Sequence, residues 1–369
     1  MSRSVDPGGI GRAVRDAPLA PLTTLELGGP ARILIEPRSE GEVREALEWA
    51  ESAETAVAVL GGGSNLVVGD GGFDGLVLRA GWRGVQVERA GDAVRVTAAA
   101  GEPWDEVVAL AVEEGWAGLE CLSGIPGTAG ATPIQNVGAY GQDVSGAIAS
   151  VRVLDRVSRA VAVLSNPQCG FAYRSSVFRG NPDRVVVLAV TFELLRGGPP
   201  TLRYPELVAA LGGSATPTLA AVRRAVLDLR RAKSMLLEPG DPNRRSVGSF
   251  FLNPTLAVDE ADEVAARARA AGVVADPSEV PMFPSPDGRV KLPAAWLVER
   301  AGFPKGTRRG PVGVSSRHAL ALVHHGGGST VALLALAAEI QTAVRDRFGV
   351  SLRPEPTFLG CGAPDPLAP

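Results

Sequence analysis

Residues 118–143 read GLECLSGIPGTAGATPIQNVGAYGQD, with six glycines and only two charged side chains. Glycine loses more conformational freedom on folding than any other residue, so so rich a run needs backbone to come close to something. A second run, VLGGGSNLVVGDGGFDG at 59–75, makes the same demand. It is not the dinucleotide fingerprint of a doubly wound sheet, whose glycines open a helix with the pyrophosphate on its N-terminus. Here Ser64-Asn65 is followed by Leu66, Val67 and Val68, which favour a strand. No Lys-Ser/Thr pair follows the glycines, which excludes an ATPase-type phosphate loop. Gly61, Gly62 and Gly63, with the Ser64 hydroxyl and the Asn65 amide, can instead form an anion-binding nest, against the plainer reading of a tight connecting turn. In the other run Gly124, Gly127 and Gly130 would bring backbone to phosphate, flanked by Ser123, Ile125, Thr128 and Gly138. Gln135 and Asn136 would hydrogen-bond a ring or a sugar. The pair predicts two loops closing from two sides on one large, flat, phosphorylated cofactor.

The rest of the 369-residue chain fits an ordinary globular protein of two or three domains, 45% hydrophobic and 21% charged. A net charge of −3 gives no general attraction to nucleic acid or to an acidic membrane surface, so any anionic ligand has to be held by local basic clusters. Cys121, Cys169 and Cys361 are odd in number and far apart, without disulfide or metal-ligand spacing. His318, His324 and His325 fall at or after one strand with no third ligand nearby, so no metal is expected. No apolar run has signal-peptide or membrane-spanning length, which predicts a cytoplasmic protein.

Periodicity predicts an α+β fold. Strands are expected at ARILIEP, TAVAVLGGG and GLVLRA, with a Ser-capped helix at SEGEVREALEWAES between the first two. Hairpins are expected around Gly91-Asp92 and over 149–165, a helix at EPWDEVVALAVEEG, a long strand at RVVVLAVTFELL and a helix over 218–234 with a basic last turn. The Pro- and Gly-rich MLLEPGDPNRRSVG reads as a boundary. Beyond it come strands at SFFLNP, HALALVHHG and VSLRPEPTFLG, and helices at 259–272, near PAAWLVERAG and at 329–348. The expected division is a mobile tail at 1–17, subdomains at 18–84 and 85–234, and a third domain at 235–349, with 350–369 returning to the first.

LGGGSNLVV, GLECLSGIPGTAGATPIQNVGAYGQD, YRSSVF, GSFFLNP and RPEPTFLG occur in the order found in the UDP-N-acetylenolpyruvoylglucosamine reductase family. The resemblance runs from about Thr23 to Gly360. It implies an FAD-binding fold of the vanillyl-alcohol-oxidase type in two α+β subdomains, followed by a C-terminal α+β substrate domain. PIQNVGAYG and LRYPEL resemble the first of the family's two structural types, the one with a mobile tyrosine loop. The implied activity is NADPH-dependent reduction of a UDP-linked enolpyruvyl amino sugar through FAD, in peptidoglycan synthesis, by a monomer. The alternative is another FAD oxidase or dehydrogenase of the same fold acting on a small alcohol or hydroxy acid.

Such a reduction needs a hydride carrier, groups that stabilise charge at the substrate carboxylate, and a proton donor. By resemblance Ser249 in GSFFLNP is the general acid, while Arg174 in YRSSVF and Glu355 in RPEPTFLG stand around the developing enolate. A forked guanidinium suits a planar carboxylate. Tyr204 and Lys233 match groups that meet the nucleotide diphosphate, Asn253 a residue near it, and Tyr140 one lining the substrate channel; His318 is a further candidate contact. After the glutamate the family usually has an apolar residue and an arginine, where this chain has Pro356 and Thr357.

Overall fold

The computed structural model describes residues 10, 12–213, 216–285, 287–363 and 365–368. These fall into two compact units: residues 1–17, 31–63 and 73–236 form the first, and 18–30, 64–72 and 237–369 the second. The chain therefore changes unit inside the first glycine run, between Gly63 and Ser64, and again at the Pro/Gly-rich stretch, between Leu236 and Leu237.

The first unit holds two large sheets and a two-stranded one. One has the strand order Arg12–Pro18, Pro30–Glu36, Phe73–Arg79, Val57–Leu60, and its last three strands are parallel. Positions 12–17 were expected in a mobile tail, yet they are strand; positions 1–9 and 11 lie outside the described residues. The other sheet is antiparallel, in the order Val161–Ser165, Ile148–Asp155, Val185–Arg196, Ala93–Ala99, Val85–Ala90. Alternation explains the inner strands: Val94, Val96 and Ala98 are buried on one face.

Helix Glu40–Ser52 buries Val43, Ala46, Leu47 and Ala50, the i, i+3, i+4, i+7 stripe of an amphipathic helix, and Ser39 caps it by accepting the N–H of Glu42 at 3.2 Å. Helix Trp104–Glu113 buries Trp104, Val107, Val108 and Ala111 on the same spacing, with Trp104 packed 5.4 Å from the ring of Phe192. Helix Leu219–Ala232 ends at Arg230, Arg231 and the cap residue Lys233.

In the second unit, strands Ser246–Ser249, Ala321–His324, Val312–Val314 and Arg308–Arg309 form a sheet in that order. Helix Thr330–Phe348 supplies Leu333, Leu336, Ala337, Ile340 and Val344 to a core that also takes Leu25, Leu27 and Val67 from the early part of the chain. Several expected strands are shorter than read, HALALVHHG at Ala321–His324 and TAVAVLGGG at Val57–Leu60 among them. SFFLNP pairs with Ala321–His324 only up to Ser249, because the chain then changes partner: Phe251 bridges to Pro354 and the Leu252 N–H donates to the Arg353 carbonyl at 2.9 Å. The terminal stretch forms a ladder only at Thr357–Leu359, since Pro354 and Pro356 have no N–H to donate. That strand runs parallel to Leu66–Val68. Residues 18–30 and 64–72 thus sit with the C-terminal segment, apart from 31–63 and 73–84 of the expected 18–84 subdomain.

Candidate active site

In the first unit the two glycine runs meet backbone to backbone. A Cβ on Gly62 would stand 2.6 Å from the Cα of Gly127, and one on Gly61 would stand 2.8 Å from Thr128 Oγ1. Gly63, Gly124 and Gly127 have φ of +64°, +71° and +120°, which side-chain-bearing residues seldom adopt. Residues 61–62 and 124–128 remain partly exposed beside this contact, a glycine-rich cradle that suits a dinucleotide.

Two of the expected phosphate glycines have other reasons to be glycine. Gly130 packs on Ala100, where no Cβ fits, and its N–H donates to the Ala100 carbonyl at 3.0 Å. Gly124 gives its N–H to Asp105 Oδ1 at 2.5 Å and lies under Leu227 and Leu236. Asp105 also receives both arms of Arg223, at 2.7 and 2.8 Å. Burial opposes its ionisation, yet the bonds from Arg223 and Gly124 prevail and hold the carboxyl below its ordinary range.

Asn136 and Gln135 are likewise engaged within the protein. The Asn136 amide donates to the Ala172 carbonyl at 3.2 Å, and its oxygen accepts the Ser145 N–H at 3.1 Å. Gln135 Oε1 accepts from Arg179 at 3.3 Å. Ser123 is fully buried and donates its hydroxyl to the Glu120 carbonyl at 2.7 Å, so Ser123 and Asn136 shape the loop and do not reach out from it.

The same loop sets Arg174, whose Nη2 donates to the Gly138 carbonyl at 2.8 Å and Nη1 to the Asn136 carbonyl at 3.3 Å. Arg174 has φ of +51° and Asn136 +45°. Between them Gly138–Ala139 pairs with Gln142–Asp143 across a two-residue turn, Tyr140-Gly141, with φ of +50° and +80°. That is the type I′ geometry usually filled by Asn-Gly. A tyrosine held there carries backbone strain of the kind that clusters at functional sites.

Tyr140 meets Tyr204 edge to face at 5.5 Å, and Lys233 Nζ lies 5.8 Å from the Tyr140 ring centre. Lys233 pairs with Glu206 at 2.5 Å; the glutamate opens helix Pro205–Ala210, directly after Tyr204. Burial pushes the Tyr140 phenol up to about 12, against the Arg230 charge and with help from Glu206 and Tyr204, so it stays a hydrogen-bond donor. Arg230 is held beside Tyr140 and Asp105, donating to the Met235 carbonyl at 2.8 Å. Three candidates proposed from separate motifs, Tyr140, Tyr204 and Lys233, therefore converge. Glu206 and Asp105 were missed, since a lone acidic residue in a helix's first turn reads as a dipole partner.

In the second unit Ser249 ends its strand opposite Ala321, after a bulge that opens at Gly248 with φ of +77°. Its Oγ lies 3.2 Å from His318 Nε2. The Glu355 N–H donates to the Phe250 carbonyl at 2.8 Å, which brings Glu355 beside Ser249 from the far end of the sequence. Asn65 belongs here also: its carbonyl accepts the Thr357 N–H at 2.9 Å. Asn253 Oδ1 accepts the first N–H of helix Ala294–Arg300 at 2.9 Å, a capping role that the sequence reading did not foresee. His324 is buried, with Nδ1 3.2 Å from the Leu25 carbonyl and Nε2 accepting the Gly328 N–H at 3.0 Å. Among the described residues no group of three or more His, Cys, Asp or Glu could hold a metal ion, and no helix is long and apolar enough to cross a membrane.

An FAD-binding-domain model matches residues 31–162, and the glycine cradle lies within that span, so the protein is an FAD-containing oxidoreductase with the expected α+β fold. A model of the UDP-N-acetylenolpyruvoylglucosamine reductase C-terminal domain matches residues 241–359. The UDP-N-acetylenolpyruvoylglucosamine reductase of Streptomyces coelicolor is 48% identical over 364 residues, 97% of this chain and 92% of that relative. The one from Thermobifida fusca is 49% identical over 351 residues, 94% and 98%. The crystal structure of the Thermus caldophilus reductase superposes with a TM-score of 0.62 at 23% identity, covering 94% of this chain and 98% of that one, and shows the same fold. The chain belongs to the UDP-N-acetylenolpyruvoylglucosamine reductase family. It is an enzyme of peptidoglycan precursor synthesis, and the C-terminal match removes the alternative of a small-alcohol oxidase.

Proposed function

We propose that NADPH is the reductant, that UDP-N-acetylglucosamine enolpyruvate is the substrate reduced to UDP-N-acetylmuramate, and that Ser249 protonates the carbon next to the carboxylate. Bound FAD supplies the chemistry that no side chain has, carriage of a hydride from NADPH to the terminal enolpyruvyl carbon. The observation that carries the reading is the pairing of Ser249 with Glu355: the glutamate N–H bonds the carbonyl of the residue that follows the serine. A serine hydroxyl is a weak acid, but an enolate built on a carboxylate is a strong base, and a positioned donor is worth about 10² to 10⁴ in rate.

Arg174, its fork oriented by the loop carbonyls of Asn136 and Gly138, is the cation for the substrate carboxylate. Lys233 and the Tyr204 hydroxyl serve the diphosphate, with Tyr140 against the tyrosine ring. Gly61, Gly62, Gly63, Ile125, Gly127 and Thr128 are the backbone assigned to FAD, with Ser64 and Asn65 at the edge of the run. The proposed acting form is a monomer. Three free cysteines accord with the cytoplasm, where nucleotide sugars are made.

The test is rapid mixing of Ser249→Ala. Flavin bleaching by NADPH should proceed at near the parent rate, while reoxidation by the enolpyruvyl sugar nucleotide slows by about 10² to 10⁴. Equal slowing of both half-reactions would assign Ser249 to support of the flavin site.

A further inference from the structure

His318 lies outside the roles given to Ser249, Arg174 and Glu355, yet its Nε2 stands 3.2 Å from Ser249 Oγ. Its place is strongly built. Residues 315–321 form the turn between Val312–Val314 and Ala321–His324, closed by the Ser315 N–H on the Ala321 carbonyl at 2.8 Å and the Ala321 N–H on the His318 carbonyl at 3.1 Å. The fully buried Ser315 hydroxyl accepts the backbone N–H groups of Arg317 and His318, at 3.1 and 3.3 Å. Buried Asn243 grips the same turn: its oxygen accepts the Ser316 N–H at 3.0 Å and its amide donates to Ser316 Oγ at 3.1 Å.

On the other side, the strand register advances three residues, from Ser246 to Ser249, while its partner advances two, from Val323 to Ala321. Such a bulge re-aims the side chain that follows it. The extra residue, with Gly248 in the left-handed region, turns Ser249 toward the histidine.

Resting on the reading of Ser249 as the proton donor, we infer that His318 is its positioning residue, donating Nε2–H to Ser249 Oγ. A hydroxyl has one proton. If Oγ gave it to the imidazole, none would face the substrate; with Nε2–H as donor, the Oγ–H is left for the carbon. As the Oγ–H bond breaks and the new C–H bond forms, negative charge moves onto Oγ, where the Nε2–H already stands. Oγ then recovers its proton from solvent, which restores the serine and leaves His318 neutral throughout.

The experiment compares His318→Leu, which fills space without a donor, and His318→Gln, whose amide can donate, in the parent and in the Ser249→Ala background. Each variant is compared at matched flavin content. Loss of a hydrogen bond to a developing charge should make His318→Leu slow substrate-driven reoxidation by about 10- to 100-fold while bleaching by NADPH is unchanged. His318→Gln should recover most of that loss, and His318→Leu should cost less than about twofold more once Ser249 is alanine, because residues acting as a unit are not additive.

A second readout needs no turnover. The sequence has three histidines, so imidazole nitrogen NMR can assign His318 directly, with His324 as internal reference. Ser249→Ala should shift the His318 nitrogens and leave those of His324 in place, and His318 should carry its proton on Nε2. A proton on Nδ1 with bare Nε2, additive losses, or a glutamine no better than leucine would each overturn the inference. If Ser249→Ala itself leaves reoxidation at the parent rate, the proton-donor reading fails first; if it slows reoxidation and His318→Leu does not, only the inference on His318 fails.

Discussion

Gly62 and Gly127 are in backbone contact, with no room for a Cβ on Gly62: one added there would stand 2.6 Å from the Gly127 Cα. Backbone cannot give way as the tip of a flexible side chain can. Gly62→Ala should therefore part the two loops at a cost of about 1 to 3 kcal/mol, the range for overpacking a tight site. The measurement is the flavin-to-protein absorbance ratio after purification, with Gly180→Ala as control, since nothing lies within 4 Å of a Cβ there and its φ is not in the left-handed region. Equal ratios for Gly62→Ala and the parent would mean that flavin retention does not depend on this contact.

Asp105 joins that loop to helix Leu219–Ala232 through Gly124 and Arg223. Asp105→Asn keeps an acceptor for Gly124 but loses the forked ion pair. It should lower stability at neutral pH by about 1 to 2 kcal/mol, allowing for the carboxylate's exposed edge. The folded-state carboxyl lies below its ordinary range, so its contribution is present above the unfolded value near 4 and lost as pH falls through the folded one. Urea unfolding across that acid range should be flatter in Asp105→Asn than in the parent.

Tyr204 and Glu206 should affect substrate affinity in opposite directions. Tyr204→Phe removes a hydroxyl assigned to the diphosphate and should raise the sugar-nucleotide KM about tenfold or more, with NADPH bleaching unchanged. Glu206→Gln frees Lys233 from its partner and removes a negative charge from a site for an anion, so KM should fall a few-fold, the scale of a partly exposed pair. An unchanged KM in Tyr204→Phe would assign that ring to packing on Tyr140.

His324 predicts a second pH effect, in the second unit. Burial, first, then Arg245, press its titration below the ordinary histidine value of about 6.5, against the Leu25 carbonyl and Glu26. The folded form keeps the ring neutral, and the Gly328 N–H uses its Nε2 lone pair. The unfolded chain binds the proton first, so stability is full above about pH 6.5 and declines as pH falls from there. His324→Gln should be less stable at pH 7.5 and show a shallower decline to pH 5.5 by urea unfolding. A parallel decline in the two proteins would place the sensitive group elsewhere.

Apolar periodicity made the helices and inner strands legible: Val43, Ala46, Leu47 and Ala50 had one structural solution. The ends of SFFLNP and VSLRPEPTFLG were not, because a change of backbone partner after Ser249 and the two prolines interrupt ladders that propensity alone would extend. In the loops, residue type suggested ligand contact where the amide or hydroxyl was already spent, as at Asn136, Ser123 and Asn253. Tyr140 hid its turn, since Tyr-Gly is a poor type I′ signature and only the paired strands reveal it. Ser249 and Glu355 could be named but not joined; that link is a backbone hydrogen bond between distant segments, which no local pattern encodes.

Leu66–Val68 waits for a neighbour that the ribosome makes about 290 residues later. Its parallel partner, Thr357–Leu359, lies near the C-terminus, and Leu25, Leu27 and Val67 join a core otherwise built from residues beyond 237. Contacts so far apart in sequence form slowly, and only once both ends exist. During synthesis Ser64 and Asn65 therefore hang from a finished glycine turn with their own support still untranslated. A chain stopped short of residue 357 would keep all of its first unit's sequence and yet leave that strand without its partner, so synthesis through Leu359 acts as a checkpoint for the second unit.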